Sequence, residues 1–273
     1  MCLLEETKFL LRKYGVFPRR LLGQNFMVDS AILERMVDYA LLVQSDVVLD
    51  VGAGFGFLTR LLAGKCKSVL AVESDKKLVK ILHEQLRDLS NVKIIEGNAL
   101  EVPIPHFSKV VSIPPYNISS SLLLWLFRQR FDCAVFVFQK EFVNRLVASV
   151  GSECYGWLTV VAYYYVDVEL LDVVPRWMFY PQPKVDSVVV RLRPKKFVPF
   201  AIKDEVLFRR LVQLLFSRRN RKMRNAVVPF ILDRLSFNRG RILKMVSAFP
   251  YCDKRVRELA PEDFGALLNG LVE

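Results

Sequence analysis

Short apolar runs alternate with segments of helical periodicity over the first 194 residues. The runs at 47–51, 68–74, 109–113 and 133–139 are typical of buried strands. Between the second run and the next strand, the segment 75–89 places apolar residues at helical spacing. This alternation predicts βαβ crossovers and a mostly parallel sheet, and two further runs joined by a Pro-rich turn predict an antiparallel edge.

The pattern changes near Pro194, beyond which the apolar periods are helical and no strand pattern follows. The longest such segment, DEVLFRRLVQLLFSRRNRKMRNAV at 204–227, predicts helix. We therefore expect an α/β domain over residues 1–194 and a small all-helical domain over residues 195–273.

Positive charge is concentrated in the second of these domains. From Lys195 onward the chain has 17 Lys and Arg against 8 Asp and Glu, so this part carries +9 of the net charge of +12. A solvated basic surface explains short charge runs, but this concentration favours a polyanionic partner such as RNA.

Several classes of site and location are disfavoured by the composition. The five cysteines form no C-x-x-C pair, which argues against a zinc cluster or a disulfide framework and fits a reducing cytoplasm. The two histidines, His83 and His106, are expected at the surface and are too few for a multi-histidine metal centre, so we expect no metal site. No run of about 18 apolar residues predicts a membrane span, and charged residues interrupt the first 15 positions before a secretory signal can form.

A glycine-rich turn follows the strand at 47–51. Gly52, Gly54 and Gly56 are spaced as G-x-G-x-G, which differs from the G-x-G-x-x-G of dinucleotide sites. The spacing favours a nucleoside cofactor without a diphosphate, with S-adenosylmethionine as the leading candidate, although many such turns bind nothing. Glu73 ends the next strand, where a carboxylate can accept both ribose hydroxyls. Asn98 follows the third strand and is either an adenine contact or a turn former.

Two aromatic turns are candidates for binding a flat base. Tyr116 follows two prolines after the fourth strand, and Phe179 and Tyr180 precede the Pro-rich turn of the predicted edge. Together they are typical of a base clamp. Phe26, next to Gln24 and Asn25, is either a ligand edge or a helix-entry contact.

The chain resembles the ribosomal RNA adenine dimethyltransferase family through motifs spread over residues 21–192. These motifs are LGQNFMVD at 22–29, VLDVGAGFGFLT at 48–59, VESD at 72–75, EGNAL at 96–100, PPYNISS at 114–120 and FYPQPKVDSVVVRL at 179–192. The resemblance implies a Rossmann-like S-adenosylmethionine-dependent methyltransferase sheet with a small C-terminal helical domain. It also implies dimethylation of two neighbouring adenines near the 3′ end of small-subunit rRNA.

The same resemblance assigns roles to individual residues. The residues implied to hold the cofactor are Asn25, Met27, Gly52, Gly54, Glu73, Asn98 and Ile113. Those implied at the target base are Ile113, Pro114, Tyr116 and Phe179.

One position departs from the family pattern. Members usually carry Asn-Leu-Pro-Tyr or Asn-Ile-Pro-Tyr where this chain has Ile-Pro-Pro-Tyr at 113–116. The Asn side chain and a neighbouring carbonyl accept hydrogen bonds from the adenine amine in the family, and Ile113 has no side-chain acceptor. The carbonyl of Pro114 remains, whereas Ser112 or Asn117 would need a different backbone path.

The basic cluster in the helical domain is the candidate RNA-binding surface. Its members are Arg218, Arg219, Arg221, Lys222 and Arg224. The expected partner is small-subunit rRNA or a precursor of the small ribosomal subunit, bound by a monomer. Two alternatives stay open: a non-catalytic rRNA-binding assembly factor, which Ile113 favours, and a large-subunit rRNA adenine methylase.

Overall fold

The computed structural model describes residues 2–19, 23–232 and 239–272. These residues form two compact units, each built from two stretches of chain. The first comprises Met1–Val143 with Val168–Pro194, and the second comprises Asn144–Asp167 with Lys195–Glu273.

A mixed sheet is the framework of the first unit. Its strands are β2 (Val47–Val51), β3 (Ser68–Glu73), β4 (Val92–Glu96), β5 (Lys109–Ser112), β6 (Cys133–Gln139), β7 (Val166–Val174) and β9 (Ser187–Pro194). Within the described residues their order is β4-β3-β2-β5-β6-β9-β7. The first five strands in this order pair in parallel and β9 pairs antiparallel with β6. The predictions of a mostly parallel sheet and of an antiparallel element at its edge are confirmed.

Helices and a small second sheet complete this unit. The helices are α1 (Leu3–Lys13), α2 (Ser30–Tyr39), α3 (Phe57–Ala63), α4 (Lys76–Gln85), α5 (Ser119–Leu126) and α6 (Lys140–Leu146), the last of which ends in the second unit. Asp29 caps α2 by accepting the amide of Ile32. Strands β1 (Phe26–Met27) and β8 (Phe179–Tyr180) pair antiparallel in a sheet of their own.

The second unit is built from helices packed through aromatic side chains. Its helices are α7 (Trp157–Tyr165), α8 (Glu205–Phe216), α9 (Met223–Ala226), α10 (Val228–Leu232), α11 (Arg239–Val246) and α12 (Pro261–Leu271). The ring of Tyr164 in α7 packs against that of Phe208 in α8, with 5.4 Å between centroids. The hydroxyl of Tyr155 donates to the carbonyl of Leu259 over 2.8 Å.

This division differs from the single boundary predicted at Pro194. Residues 144–167 join the C-terminal stretch because the apolar face of α7 packs against α8 and α12. No change of composition marks residue 144, so the sequence pattern placed this segment with the sheet.

The helix predicted over 204–227 is interrupted. Helix α8 ends at Phe216, and residues 217–222 form a turn. The backbone there pairs with a distant segment instead: Val256 donates to the carbonyl of Arg221, and Arg257 donates to that of Arg219. These long-range bonds satisfy the backbone groups that a continued helix would use.

Candidate active site

The glycine turn between β2 and α3 passes very close to the segment that follows β5. Gly52, Gly54 and Gly56 have φ values of +77°, +59° and +83°, in the region that favours glycine. A Cβ on Gly52 would lie 2.8 Å from Cδ of Pro115. The absence of a side chain at Gly52 therefore lets the two turns meet.

Glu73 ties this glycine turn to the end of β3. One carboxylate oxygen accepts the amide of Gly54 at 3.0 Å, and the other accepts the amides of Ser74 and Asp75, both at 2.9 Å. Burial raises the pKa of Glu73, and these backbone donors oppose that rise. Two carboxylate oxygens have about four acceptor sites, so capacity remains for a ribose hydroxyl.

Asp50 is a second buried carboxylate in the same place, and the motifs of the sequence assign it no role in ligand binding. Its side chain accepts the hydroxyl of Thr59 at 2.7 Å. Burial raises the pKa of Asp50 to about 7, and the nearby charge of Glu73 adds to the rise. The signal in the sequence is an acidic residue two positions before the first glycine of the turn.

Two adjoining clefts open over these groups, with about 420 Å³ and 500 Å³ of empty space. The first extends over Met27, Asp50 and the start of α3, and the second reaches Glu73, Pro114 and Tyr116. The residues that line both clefts are Asn25, Phe26, Gly52, Gly54 and Ile113.

Pairing of β1 with β8 brings the N-terminal motif to the clefts. Met27 pairs with Phe179, and Phe26 pairs with Tyr180. The Phe26 ring packs on that of Phe55 with 4.4 Å between centroids and lines both clefts, which favours the ligand-edge interpretation. The side-chain amide of Asn25 donates to the carbonyl of Gly23 at 3.1 Å.

Tyr116 and Phe179 lie side by side, but not as an open clamp. Their ring centroids are 6.3 Å apart and the ring planes meet at 72°. Phe179 is only 2% exposed, and the hydroxyl of Tyr116 hydrogen-bonds that of Ser187 at 2.8 Å. In this arrangement the two rings do not form parallel faces between which a base could stack.

The segment after β5 offers carbonyl acceptors but few amide donors. The side chain of Ile113 packs against the apolar core, and its carbonyl oxygen lies 3.8 Å from where a Cβ on Gly52 would be. The next two residues are prolines, which have no amide hydrogen. Ser112 is fully buried and its hydroxyl binds the backbone of Val51, while Asn117 is exposed. Ser112 is therefore committed to the sheet.

Asn98 does not line either cleft. Its side chain accepts the amide of Leu100 at 3.1 Å and donates to Glu101 at 2.8 Å. These bonds close a local turn, which is the alternative that its position after a strand left open. The adenine contact stays a prediction for this side chain.

The five basic residues of the second unit do not share one environment. The two terminal guanidinium nitrogens of Arg219 donate to the backbone carbonyls of Glu153 and Ser152, at 2.7 and 2.9 Å. Lys222 and Arg224 both pair with Asp253, at 2.9 and 3.1 Å. Arg218 and Arg221 are exposed and have no ion-pair partner within the described part of the chain.

Neither a metal-binding group nor a membrane-spanning helix is found within the described ranges. No group of three His, Cys, Asp or Glu side chains is arranged to hold a metal ion. None of the helices there is both long enough and apolar enough to cross a membrane. His83 and His106 are exposed, as expected.

Comparison with known proteins identifies the family. The model of the ribosomal RNA adenine dimethylase family matches residues 18–243. The chain belongs to this family. It is an S-adenosylmethionine-dependent rRNA adenine dimethyltransferase. The glycine turn, which a Cβ would fill, and the buried carboxylate of Glu73 beside it fit an adenosyl group.

Relatives of this rRNA adenine dimethylase match over most of its length. A probable ribosomal RNA small subunit methyltransferase A of Methanosarcina barkeri is 38% identical, covering 98% of this chain and 92% of the relative. The protein of that name from Methanopyrus kandleri is 43% identical over 82% and 81% of the two chains.

Two solved structures are similar to the dimethylase. One is a dimethyladenosine transferase from Plasmodium falciparum, with a TM-score of 0.75 and 27% identity over 88% of this chain and 94% of the other. The other is the 23S rRNA methyltransferase ErmE, with a TM-score of 0.65 and 26% identity over 91% and 100%.

Proposed function

We propose that this chain dimethylates the 6-amino groups of two adjacent adenines near the 3′ end of small-subunit rRNA, as a step in maturation of the small ribosomal subunit. The observation that carries the proposal is the meeting of the two clefts. The glycine turn lines both clefts, and one of them is lined by both Glu73 and Tyr116. The names of the curated relatives support the choice of small-subunit rRNA.

On the cofactor side of the site, the ligand lies close to the backbone of the glycine turn and hydrogen-bonds a buried carboxylate. S-adenosylmethionine, when bound, supplies an electrophilic methyl group. We assign one ribose hydroxyl to Glu73, which has acceptor capacity left after binding three amides. Gly52 and Gly54 let the ligand approach the backbone, and Asn25 and Met27 line the same cleft.

On the base side, carbonyl oxygens orient the adenine amine. Its lone pair is delocalised into the ring, so the amine is a poor nucleophile and alignment is the main contribution that the protein can make. We assign acceptance of its hydrogens to the carbonyls of Ile113 and Pro114, because the following prolines leave this wall without competing amide donors. Tyr116 offers a ring on which the base stacks.

The substitution at Ile113 lowers the rate but does not abolish transfer in this proposal. By analogy with the loss of one oxyanion-hole donor, the absence of an oriented side-chain acceptor costs about 100- to 1,000-fold in rate. Neither Ser112, which is bonded to β2, nor the exposed Asn117 replaces it.

RNA is held by the basic turn of the second unit, in which Arg218 and Arg221 are the cations available for phosphate. Phosphate contacts position the substrate without specifying its sequence, so the target is chosen by RNA shape and by unstacked loop bases. We propose that the enzyme works in the cytoplasm as a monomer, on rRNA or on a precursor of the small subunit.

A large-subunit rRNA is the second candidate substrate, favoured by the likeness to ErmE. The test is to map methylated adenines on both rRNAs after incubation with the protein and S-adenosylmethionine, with a reaction that lacks the cofactor as control. We expect two adjacent dimethylated adenines near the 3′ end of the small-subunit rRNA. Methylation confined to the large-subunit rRNA would contradict the proposal.

A further inference from the structure

Trp177 is a large aromatic side chain left in solvent beside the base side of the site. It is 64% exposed and makes no ring contact with the described residues. A 3-10 turn over Arg176–Met178 holds its backbone, because the amide of Met178 donates to the carbonyl of Pro175 at 3.0 Å. The carbonyl of Met178 in turn accepts the amide of Val28 at 2.9 Å. The ring is therefore presented from a fixed backbone.

Trp177 lies close in the chain to Phe179, which the resemblance places at the target base. It is two residues from Phe179, so their Cα atoms are at most about 7 Å apart. Phe179 in turn packs edge-on against Tyr116. A nucleotide next to the bound adenine in the same strand can reach this ring.

Asp186 binds the backbone amides of two basic residues, Arg176 and Lys140. Its side chain accepts the amide of Arg176 at 2.9 Å, and its carbonyl accepts the amide of Lys140 at 3.0 Å. The neighbouring Ser187 carries the hydroxyl that binds Tyr116. The side chains of Arg176 and Lys140 are exposed, and within the described ranges neither forms an ion pair.

We propose that Trp177, Arg176 and Lys140 form a second RNA-contact surface, in which Trp177 stacks on the nucleotide that flanks the target adenine and the two cations bind its phosphates. This inference rests on the proposed function and deepens it. An exposed indole next to Arg176 in the chain, with Lys140 bonded through its backbone to the same Asp186, matches a single RNA strand, which presents flat bases and phosphates alternately. With two adjacent target adenines, the stacked neighbour is the other adenine of the pair.

The first test is kinetic and uses the full-length protein with purified small-subunit rRNA. We expect Trp177→Ala to raise KM by about 5- to 140-fold, the range expected for loss of one base–aromatic stack, and Trp177→Phe to restore most of the loss. Val43→Ala is the matched control, since Val43 is exposed but precedes β2 and so lies at the opposite end of the strands. An unchanged KM for Trp177→Ala in an active preparation would overturn the proposal.

The cations are tested by their salt dependence. Arg176→Gln and Lys140→Gln are each expected to reduce the slope of log affinity against log salt by about 1. Lys65→Gln, an exposed residue preceding β3 at the opposite end of the sheet, should leave the slope unchanged. Equal slopes for all three variants would overturn the assignment of phosphate contacts.

A fluorescence measurement separates failure of this inference from failure of the proposed function. The chain has three tryptophans, so replacing Trp125 and Trp157 by Phe leaves Trp177 as the only indole. We expect a single-stranded oligoribonucleotide with two adjacent adenines to quench it, whether or not that RNA is methylated. Binding without quenching would overturn the stacking. A KM that rises only on ribosomal particles and not on free rRNA would instead indicate that Trp177 contacts a ribosomal protein.

Discussion

Two buried carboxylates, Asp50 and Glu73, lie close together in the glycine-turn region. Burial raises the pKa of both, and each has a different set of donors: a single hydroxyl for Asp50 and three amides for Glu73. A ligand with a positive charge favours the ionised form of such groups. Replacing each carboxylate is therefore expected to have a different effect.

Glu73→Ala is expected to weaken S-adenosylmethionine binding by about tenfold or more. Hydrogen bonds to a charged group are worth about 1.5–3 kcal/mol, and the change also frees the amide of Gly54 that shapes the turn. Calorimetry on the free protein measures this directly. Glu101→Ala, on the Asn98 turn away from both clefts, is the control, and equal affinities for the two variants would contradict the assignment.

Asp50 makes the stability of the protein depend on pH. Its pKa is raised to about 7 in the folded chain, so between its ordinary value near 4 and pH 7 the folded state binds the extra proton. The free energy of unfolding therefore falls as pH rises through this window, by at most about 1.4 kcal/mol per pH unit for one proton.

Asp50→Asn should flatten that decline while keeping an acceptor for Thr59. Glu73, whose pKa is also raised, leaves a residual slope of the same sign. The comparison is made by denaturant unfolding of both proteins from pH 4 to pH 8. Parallel curves would contradict the buried, partly protonated state of Asp50.

At the scale of elements, the site depends on the close approach of the β2–α3 turn to the turn after β5. A Cβ on Gly52 would meet Pro115, whereas one on Gly15, which also has positive φ, would meet nothing within 4 Å. Comparing Ala at these two positions therefore separates the cost of backbone strain from the cost of the steric contact. Both replacements carry the conformational cost of a side chain at positive φ, about 1–2 kcal/mol.

Gly52→Ala is therefore expected to lower the free energy of unfolding by more than Gly15→Ala does, and also to lower cofactor affinity. Gly15→Ala should leave the affinity unchanged. Thermal unfolding and calorimetry on both variants give the comparison. Equal losses of stability with unchanged affinity would mean that the two turns do not depend on each other.

The elements that could be predicted from the sequence are those stabilised by their own periodicity. Strand β6 and helix α4 each have an apolar pattern within their own residues that predicts the observed element. The glycine turn could be predicted because its glycines directly follow a strand pattern. What could not be predicted depends on distant pairing. The two-residue strands β1 and β8 have no period, and the turn at 217–222 forms because it pairs with the segment around Val256.

The same reason explains why the bonds of the candidate site residues could not be predicted. Asn98 and Arg219 have the chemistry expected for ligand contact, and in the structure their polar groups bond nearby backbone and side-chain partners. Residue type alone does not reveal those bonds. Phe179 lies beside Tyr116, and its burial follows from packing that no sequence motif encodes.

At the scale of the whole molecule, the net charge of +12 is concentrated in the C-terminal part of the chain. Only some of this charge is available to a phosphate. Lys222 and Arg224 share Asp253, and Arg219 is bonded to two carbonyls. RNA affinity should therefore respond unequally to changes within one cluster.

Neutralising Arg218 and Arg221 together to Gln is expected to reduce the slope of log affinity against log salt by about 2. Arg219→Gln should instead lower the melting temperature, because it removes bonds to Ser152 and Glu153. Filter binding over a salt series and thermal unfolding distinguish the two effects. The prediction fails if Arg219→Gln changes the slope as much as the double variant does.

This chain is expected to transfer methyl groups to adenine although it has Ile113 where the family usually has Asn. The measurement is transfer from labelled S-adenosylmethionine to immature small ribosomal subunits, comparing the natural chain with Ile113→Asn. We expect transfer by both, with the natural chain slower by up to about 1,000-fold. Transfer by Ile113→Asn alone, with none by a natural chain that still binds the cofactor, would contradict the account and describe an rRNA-binding factor on an enzyme's fold.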